Sequence, residues 1–88
     1  MHQDHSGISK RLLRARGHLD HIIDMLAEGR SCLELTQQLQ AVEKAIGNAK
    51  KALIHDHLDH CLQESADGKG KSQSKNLVAE FRSISKYL

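Results

Sequence analysis

From Ser31 to about Leu62 the chain holds no proline and repeats its apolar residues at steps of three and four, the pattern of one long helix with an apolar seam. The seam reads Cys32, Leu35, Leu39, Val42, Ile46, Ala49 and Leu53, and His57 and Cys61 continue it at four-residue steps. A helix rises about 1.5 Å per residue, which sets Cys32 roughly 37 Å from His57 along it. His57 and Cys61, at i and i+4, share one face a turn apart. Two such helices packed antiparallel bring Cys32 of one copy beside His57 and Cys61 of the other, once at each end. The axis of that pairing falls between about Ala45 and Ile46, where Ala45, Gly47 and Ala49 are small enough for two helices to cross closely.

The rest of the chain reads as helix too. A first helix over about 7–28 has the seam Ile8, Leu12, Ala15, Leu19, Ile22 and Leu26, with Gly29 as its stop. Ser31, with Glu34 three residues on, is the cap pattern that opens the second helix, expected over 31–62. Ala66–Ser72 has the composition of a linker, and a third helix over 75–88 carries Leu77, Val78, Phe81, Ile84 and Leu88. Residues 1–6 form a polar arm with His2 and His5. No segment alternates apolar and polar residues as a strand does, so the fold class is all-α, in a single domain over 1–88. Aromatic content is 2 %, Phe81 and Tyr87 alone, too little large side chain for a strong monomeric core. A chain of 88 residues in that position is expected to bury its seams in an antiparallel four-helix-bundle dimer.

The formal charge is only +2, but it is concentrated. Lys10, Arg11, Arg14 and Arg16 cluster in the first helix, and Lys44, Lys50 and Lys51 in the second. No apolar run approaches the ~20 residues of a membrane span, and Met1–Gly7 lacks the apolar core of a signal peptide. The expected location is the cytoplasm, where two cysteines serve as ligands or redox-active thiols more readily than as a disulfide.

Two thiolates and one imidazole, from Cys32, His57 and Cys61, form a soft donor set that selects Cu(I) or Zn(II) over hard cations. Cu(I) is satisfied by three donors, whereas zinc needs a fourth. Nickel needs a fourth as well, which His2 or His5 can supply. His18, Asp20 and His21 lack a clear third ligand for a second metal site. Cys61 with His57 resembles a nucleophile and its base, yet no oxyanion donors, orienting carboxylate or pocket can be argued, so no enzyme is expected.

Three runs carry a family resemblance: Arg16-Gly17-His18-Leu19-Asp20; Cys32 to Val42, with Gln37-Gln38 and Ala41-Val42; and His55-Asp56-His57-Leu58-Asp59-His60-Cys61. From about Lys10 to its end the chain resembles the small helical repressors of the CsoR/RcnR/FrmR type, which respond to copper, nickel or cobalt, formaldehyde, or sulfur species. Its C-x24-H-x3-C spacing is similar to the copper-type fingerprint of that family. The resemblance implies a dimer with antiparallel second helices, assembled into a tetramer. It also implies binding to double-stranded operator DNA when unliganded and release when the effector binds. The first-helix arginine of the family is kept as Arg11, and the candidates for DNA contact are Lys10, Arg11, Arg14, Arg16, Lys50 and Lys51. The chain departs from the copper pattern at Ser31, where a Tyr is usual, and by a gapped match at Asn76, where a Glu is usual. Asn48 stands in place of an arginine implicated in DNA contact. The expectation is a Cu(I)-released repressor. The alternatives are a nickel or cobalt sensor with an added arm histidine, a persulfide or formaldehyde thiol sensor, and a metal buffer that never touches DNA.

Overall fold

The computed structural model describes residues 5–67 and 71–88. The side chains at 61, 64–67, 71–75 and 77 lie outside that description, and so do His2 and the rest of the arm before His5. Helix α1 runs Ser6–Ala27, α2 Cys32–Asp67 and α3 Lys71–Ile84, followed by a 3-10 turn at Ser85–Tyr87. Among the described residues there is no strand.

Three helix ends differ by more than one residue from the sequence reading. Helix α2 continues past Leu62 to Asp67, because extending a helix adds a hydrogen bond for each residue ordered, and Gln63, Glu64, Ser65 and Ala66 do not oppose it as strongly as Gly68 would. Of the expected linker over Ala66–Ser72, residues 66, 67, 71 and 72 are therefore helical and 68–70 lie outside the described residues, and α3 begins at Lys71 rather than 75. At the other end α3 does not reach Leu88. The Ser85 hydroxyl donates to the Arg82 carbonyl at 2.7 Å, and the Leu88 N–H closes on the Ser85 carbonyl at 3.3 Å, tightening the chain into a 3-10 turn and leaving Leu88 exposed.

The connection between α1 and α2 is held at both ends by backbone geometry. Gly29 has φ +74, the left-handed conformation that only glycine adopts without strain. The Gly29 N–H reaches the Leu26 carbonyl at 3.2 Å, and the Arg30 N–H reaches the Met25 carbonyl at 3.1 Å. Those two bonds form a Schellman stop. Ser31 then caps α2: its hydroxyl oxygen accepts from the Glu34 N–H at 3.1 Å.

The chain divides into two compact units within α2. One comprises the described residues through Lys50, and the other Lys51–Leu88. Helix lengths account for the division, since 22 residues of α1 span about 33 Å and cannot cover the 54 Å or so of a 36-residue α2. In the first unit the core is Ala15, Ile22 and Val42 with Leu35 packed against it. The His18 imidazole bonds across the same pair of helices, Nε2 to the Gln38 Oε1 at 2.6 Å.

Each seam splits into two rows seven residues apart. On α1, Ile8, Ala15 and Ile22 are buried while Leu12, Leu19 and Leu26 are exposed. On α2, Val42 and Ala49 are buried and Leu35 is half-buried, while Leu39, Ile46 and Leu53 keep 48 %, 43 % and 45 % of their surface in water. The sequence reading placed all of these on one packing face. Period alone cannot separate two neighbouring rows, and only one is covered within the chain. Gly17 and Gly47 are not demanded by packing inside the chain, since a Cβ built on either meets no atom within 4 Å.

Gly29→Ala should cost about 1–2 kcal/mol, from a Cβ forced into the left-handed region. Thermal unfolding should show the loss as a lower melting temperature, and Gly29→Asn should recover part of it, since Asn tolerates that conformation.

Candidate metal site and nucleic-acid surface

Cys32 is the first residue of α2 and an exposed free thiol. The turn that carries it is fixed by a local polar network. The Ser31 hydroxyl donates to Glu34 Oε1 at 3.1 Å while accepting from the Glu34 N–H. The Arg30 guanidinium bonds Glu34 Oε2 through both Nε and Nη2. Hydrogen bonding from Arg30, then from Ser31, holds the Glu34 carboxyl below its ordinary value, and the same pairing raises Arg30. Ser31, where a Tyr was the expected neighbour of the cysteine, serves as the cap on which Cys32 sits.

His57 is the buried polar side chain of the described residues, with 8 % of its surface exposed. It stacks on Phe81 of α3, ring centroids 6.3 Å apart and planes within 3°. The next turn of α2 carries Cys61, whose side chain lies outside the described residues. His55 is exposed and His60 half-buried. His5, exposed, sits at the N-terminal boundary of α1, and His2 lies outside the described residues. Of the expected ligands, then, Cys32 lies at an exposed helix start and His57 in a packed environment, so the two do not share one burial state as their common seam suggested. Among the described residues of one chain, no three His, Cys, Asp or Glu side chains come together as a metal site.

The expected DNA contacts Lys10, Arg11, Arg14, Arg16, Lys50 and Lys51 are all exposed. Arg11 and Arg14 do more than line a wet face. With Ala15 and His18 of α1 and Ala45 and Asn48 of α2 they enclose a cleft of about 190 Å³. It has cationic and amide donors in its lining and no carboxylate. Sequence reasoning weighed His18 only as a metal ligand and Asn48 only as a lost arginine. The signal that finds them is spacing, since 11, 14 and 18 fall on one face of a helix, as do 45 and 48.

The helices alone put the chain among small all-α proteins, and known proteins narrow that class. The family model described as a metal-sensitive transcriptional repressor matches residues 4–86. The copper-sensing transcriptional repressor CsoR of Mycobacterium ulcerans is 38% identical over 69 residues, 77% of this chain and 59% of that protein. The chain thus spans less than two thirds of that relative. CsoR of Bacillus subtilis is 30% identical over 80 residues, 90% of this chain and 79% of that one. The copper-sensing repressor RicR of Mycobacterium tuberculosis is 30% identical over 88 residues, covering 92% of each. In fold, the chain is similar to the nickel-responsive transcriptional regulator InrS, with a TM-score of 0.79 over all of this chain and 98% of that one, at 24% identity. The chain belongs to the metal-sensitive transcriptional repressors, a family of regulators and not of enzymes.

Ser31→Ala should cost about 1 kcal/mol by removing the cap, read in thermal unfolding. The lowered Glu34 carboxyl contributes stability above the ordinary carboxylate range, and that contribution is lost as pH falls through the lowered value. Melting temperature followed downward from neutral pH should therefore fall less steeply in Glu34→Gln than in the parent.

Proposed function

We propose that this chain is a repressor that holds operator DNA when unliganded and leaves it when Cu(I) binds Cys32 of one copy together with His57 and Cys61 of another. The carrying observation is the uncovered row of α2. Leu39, Ile46 and Leu53 lie in water in one copy, and the row is symmetric about Ile46. Turned antiparallel, a second copy sets Leu39 against its partner's Leu53 and Ile46 against itself. Cys32 heads the same row one heptad before Leu39, so the same register sets it against the partner's His60, with His57 and Cys61 on either side. Covering these residues removes apolar surface worth about 25 cal/mol per Å². Ala45, exposed, and Gly47, with no atom near its missing Cβ, leave room at the midpoint. Ala49 is buried within its own chain, so the proposed crossing rests on Ala45 and Gly47. The uncovered row of α1, Leu12, Leu19 and Leu26, completes a four-helix bundle, and a dimer of dimers is the proposed assembly.

The donor set fits a soft ion. Cys32 is accessible and held on a capped turn, His57 has a set ring plane, and two thiolates with one imidazole satisfy Cu(I) without a fourth ligand. That the CsoR and RicR relatives are copper-sensing repressors supports copper. Bound there, the ion would join the start of one α2 to the far end of its partner.

On the DNA side, Arg11 and Arg14 in the cleft, with Lys10, Arg16, Lys50 and Lys51, are proposed to meet phosphates. Repetition over a symmetric assembly lets a chain of formal charge +2 act this way. No helix among the described residues is long and apolar enough to cross a membrane. The proposed place of action is the cytoplasm, with the DNA.

Binding of an operator fragment followed under Cu(I), Ni(II), Zn(II), formaldehyde and polysulfide in turn tests the reading. Release by Cu(I) supports it. Release by Ni(II) with dependence on His2 or His5 would make it a nickel sensor, release by formaldehyde or polysulfide a thiol sensor, and absence of any DNA complex a metal buffer. Ile46→Glu should convert the dimer to monomer in ultracentrifugation, whereas Asn48→Ala should leave the mass unchanged. Arg11→Ala should weaken DNA binding and flatten its dependence on salt, because fewer phosphates are neutralised, with Cu(I) affinity held near that of the parent.

A further inference from the structure

We infer that Phe81 is a positioning residue for His57, and that through this stack α3 is tied to the state of the metal site; the inference rests on the reading of His57 as a ligand. Phe81 is the only phenylalanine in the chain. It stands on the buried histidine, planes within 3° and centroids 6.3 Å apart, inside the range of offset-stacked aromatic pairs. With a face-to-face gap of ~3.5–4 Å, that centroid distance is mostly lateral slip.

The type of contact matters for ligation. An imidazole binds a metal through a ring nitrogen, in the plane of the ring and at its edge. An aromatic neighbour packed edge-on would compete for that rim. A parallel neighbour displaced this far lies beside one edge of the ring, above or below its plane, and leaves the rest of the rim to other groups. The torsion that turns an imidazole about its Cβ–Cγ bond is broad and roughly two-fold, so an unsupported ring sweeps its nitrogens through a wide arc. Stacking on Phe81 holds the ring plane and so restricts the directions in which Nδ1 and Nε2 can point. Neighbours that hold a ligating histidine by hydrogen bonds orient it in metal sites generally, and a packed ring restrains the same torsion by contact.

The coupling runs both ways. Phe81 sits midway along the described stripe of α3, one turn from Val78 and one from Ile84. A ligand that turns the His57 ring must carry Phe81 with it or lose the stack, so α3 feels the change. A ligand that accepts the ring as it stands strengthens the seating of α3.

The test uses the full chain in three variants. In the metal-free parent the ring protons of His57 should carry a ring-current shift from Phe81. Phe81→Tyr should keep that shift, and Phe81→Leu should abolish it. Ile84→Ala loosens α3 without touching the stack and controls for a merely structural role. Cu(I) affinity, measured by competition with a colorimetric chelator, should fall about tenfold in Phe81→Leu and stay near the parent in Phe81→Tyr and Ile84→Ala. Equal affinity in Phe81→Leu and the parent, or equal losses in Phe81→Leu and Ile84→Ala, would overturn the positioning role while leaving the copper site standing. A parent that shows the ring-current shift but binds no Cu(I) would instead remove the proposed effector, and the role of Phe81 in its ligation with it.

Discussion

The packing of Ala15 and Ile22 on Val42 and Leu35 is the contact on which the rest of the molecule depends. It consumes one heptad row from each of the two long helices and so decides which row remains in water. It also closes the cleft between Arg11, Arg14, His18 and Asn48, because that cleft exists only where α1 and α2 lie side by side. The His18–Gln38 bond crosses the same contact and opposes a slide of one helix along the other. A small core of this kind, built from Ala, Ile, Val and Leu, is modest in area. It orients the hairpin and leaves Leu12, Leu19 and Leu26 of α1 and Leu39, Ile46 and Leu53 of α2 exposed.

Much of this was legible in the residues. Three helices, the glycine stop at Gly29 and the Ser31–Glu34 cap could be read because each follows from local chemistry: period, φ preference and side-chain hydrogen bonding. The far end of α2 was misread because glycine and lysine composition over 66–72 signalled a linker, while helix propagation ran on to Asp67. The two rows of each seam could not be told apart, since a step of three or four describes both and burial is decided by the neighbour. The His57–Phe81 stack was out of reach for a related reason: Phe81 was visible as an apolar stripe residue, but what faces it is set by how α3 folds back.

Charge shows the same dependence on placement. A formal charge of +2 says little about a partner, yet two arginines, a histidine and an amide converge on one concavity with no carboxylate in its lining. Two acidic residues are paired at the turn between α1 and α2. Glu34 is bound to Arg30 and Ser31, and Glu28 lies 3.9 Å from the same guanidinium. One guanidinium between two carboxylates leaves the loop end of the hairpin acidic, in contrast to the basic lining of the cleft.

The tight turn at Gly29 has a mechanical meaning. Three backbone and side-chain fasteners, two at the Schellman stop and one at Ser31, make the connection between α1 and α2 stiff, so the hairpin behaves as a crank. Arg14 lies some 20 Å up α1 from that joint. A tilt of about 3° imposed at Cys32 displaces a guanidinium at that radius by about 1 Å, enough to take a hydrogen bond out of its 2.7–3.2 Å range. A soft, frayed turn would absorb the same tilt within a residue or two. Stiffness at a glycine, the residue usually associated with give, would let a small movement imposed at Cys32 reach Arg14 undiminished.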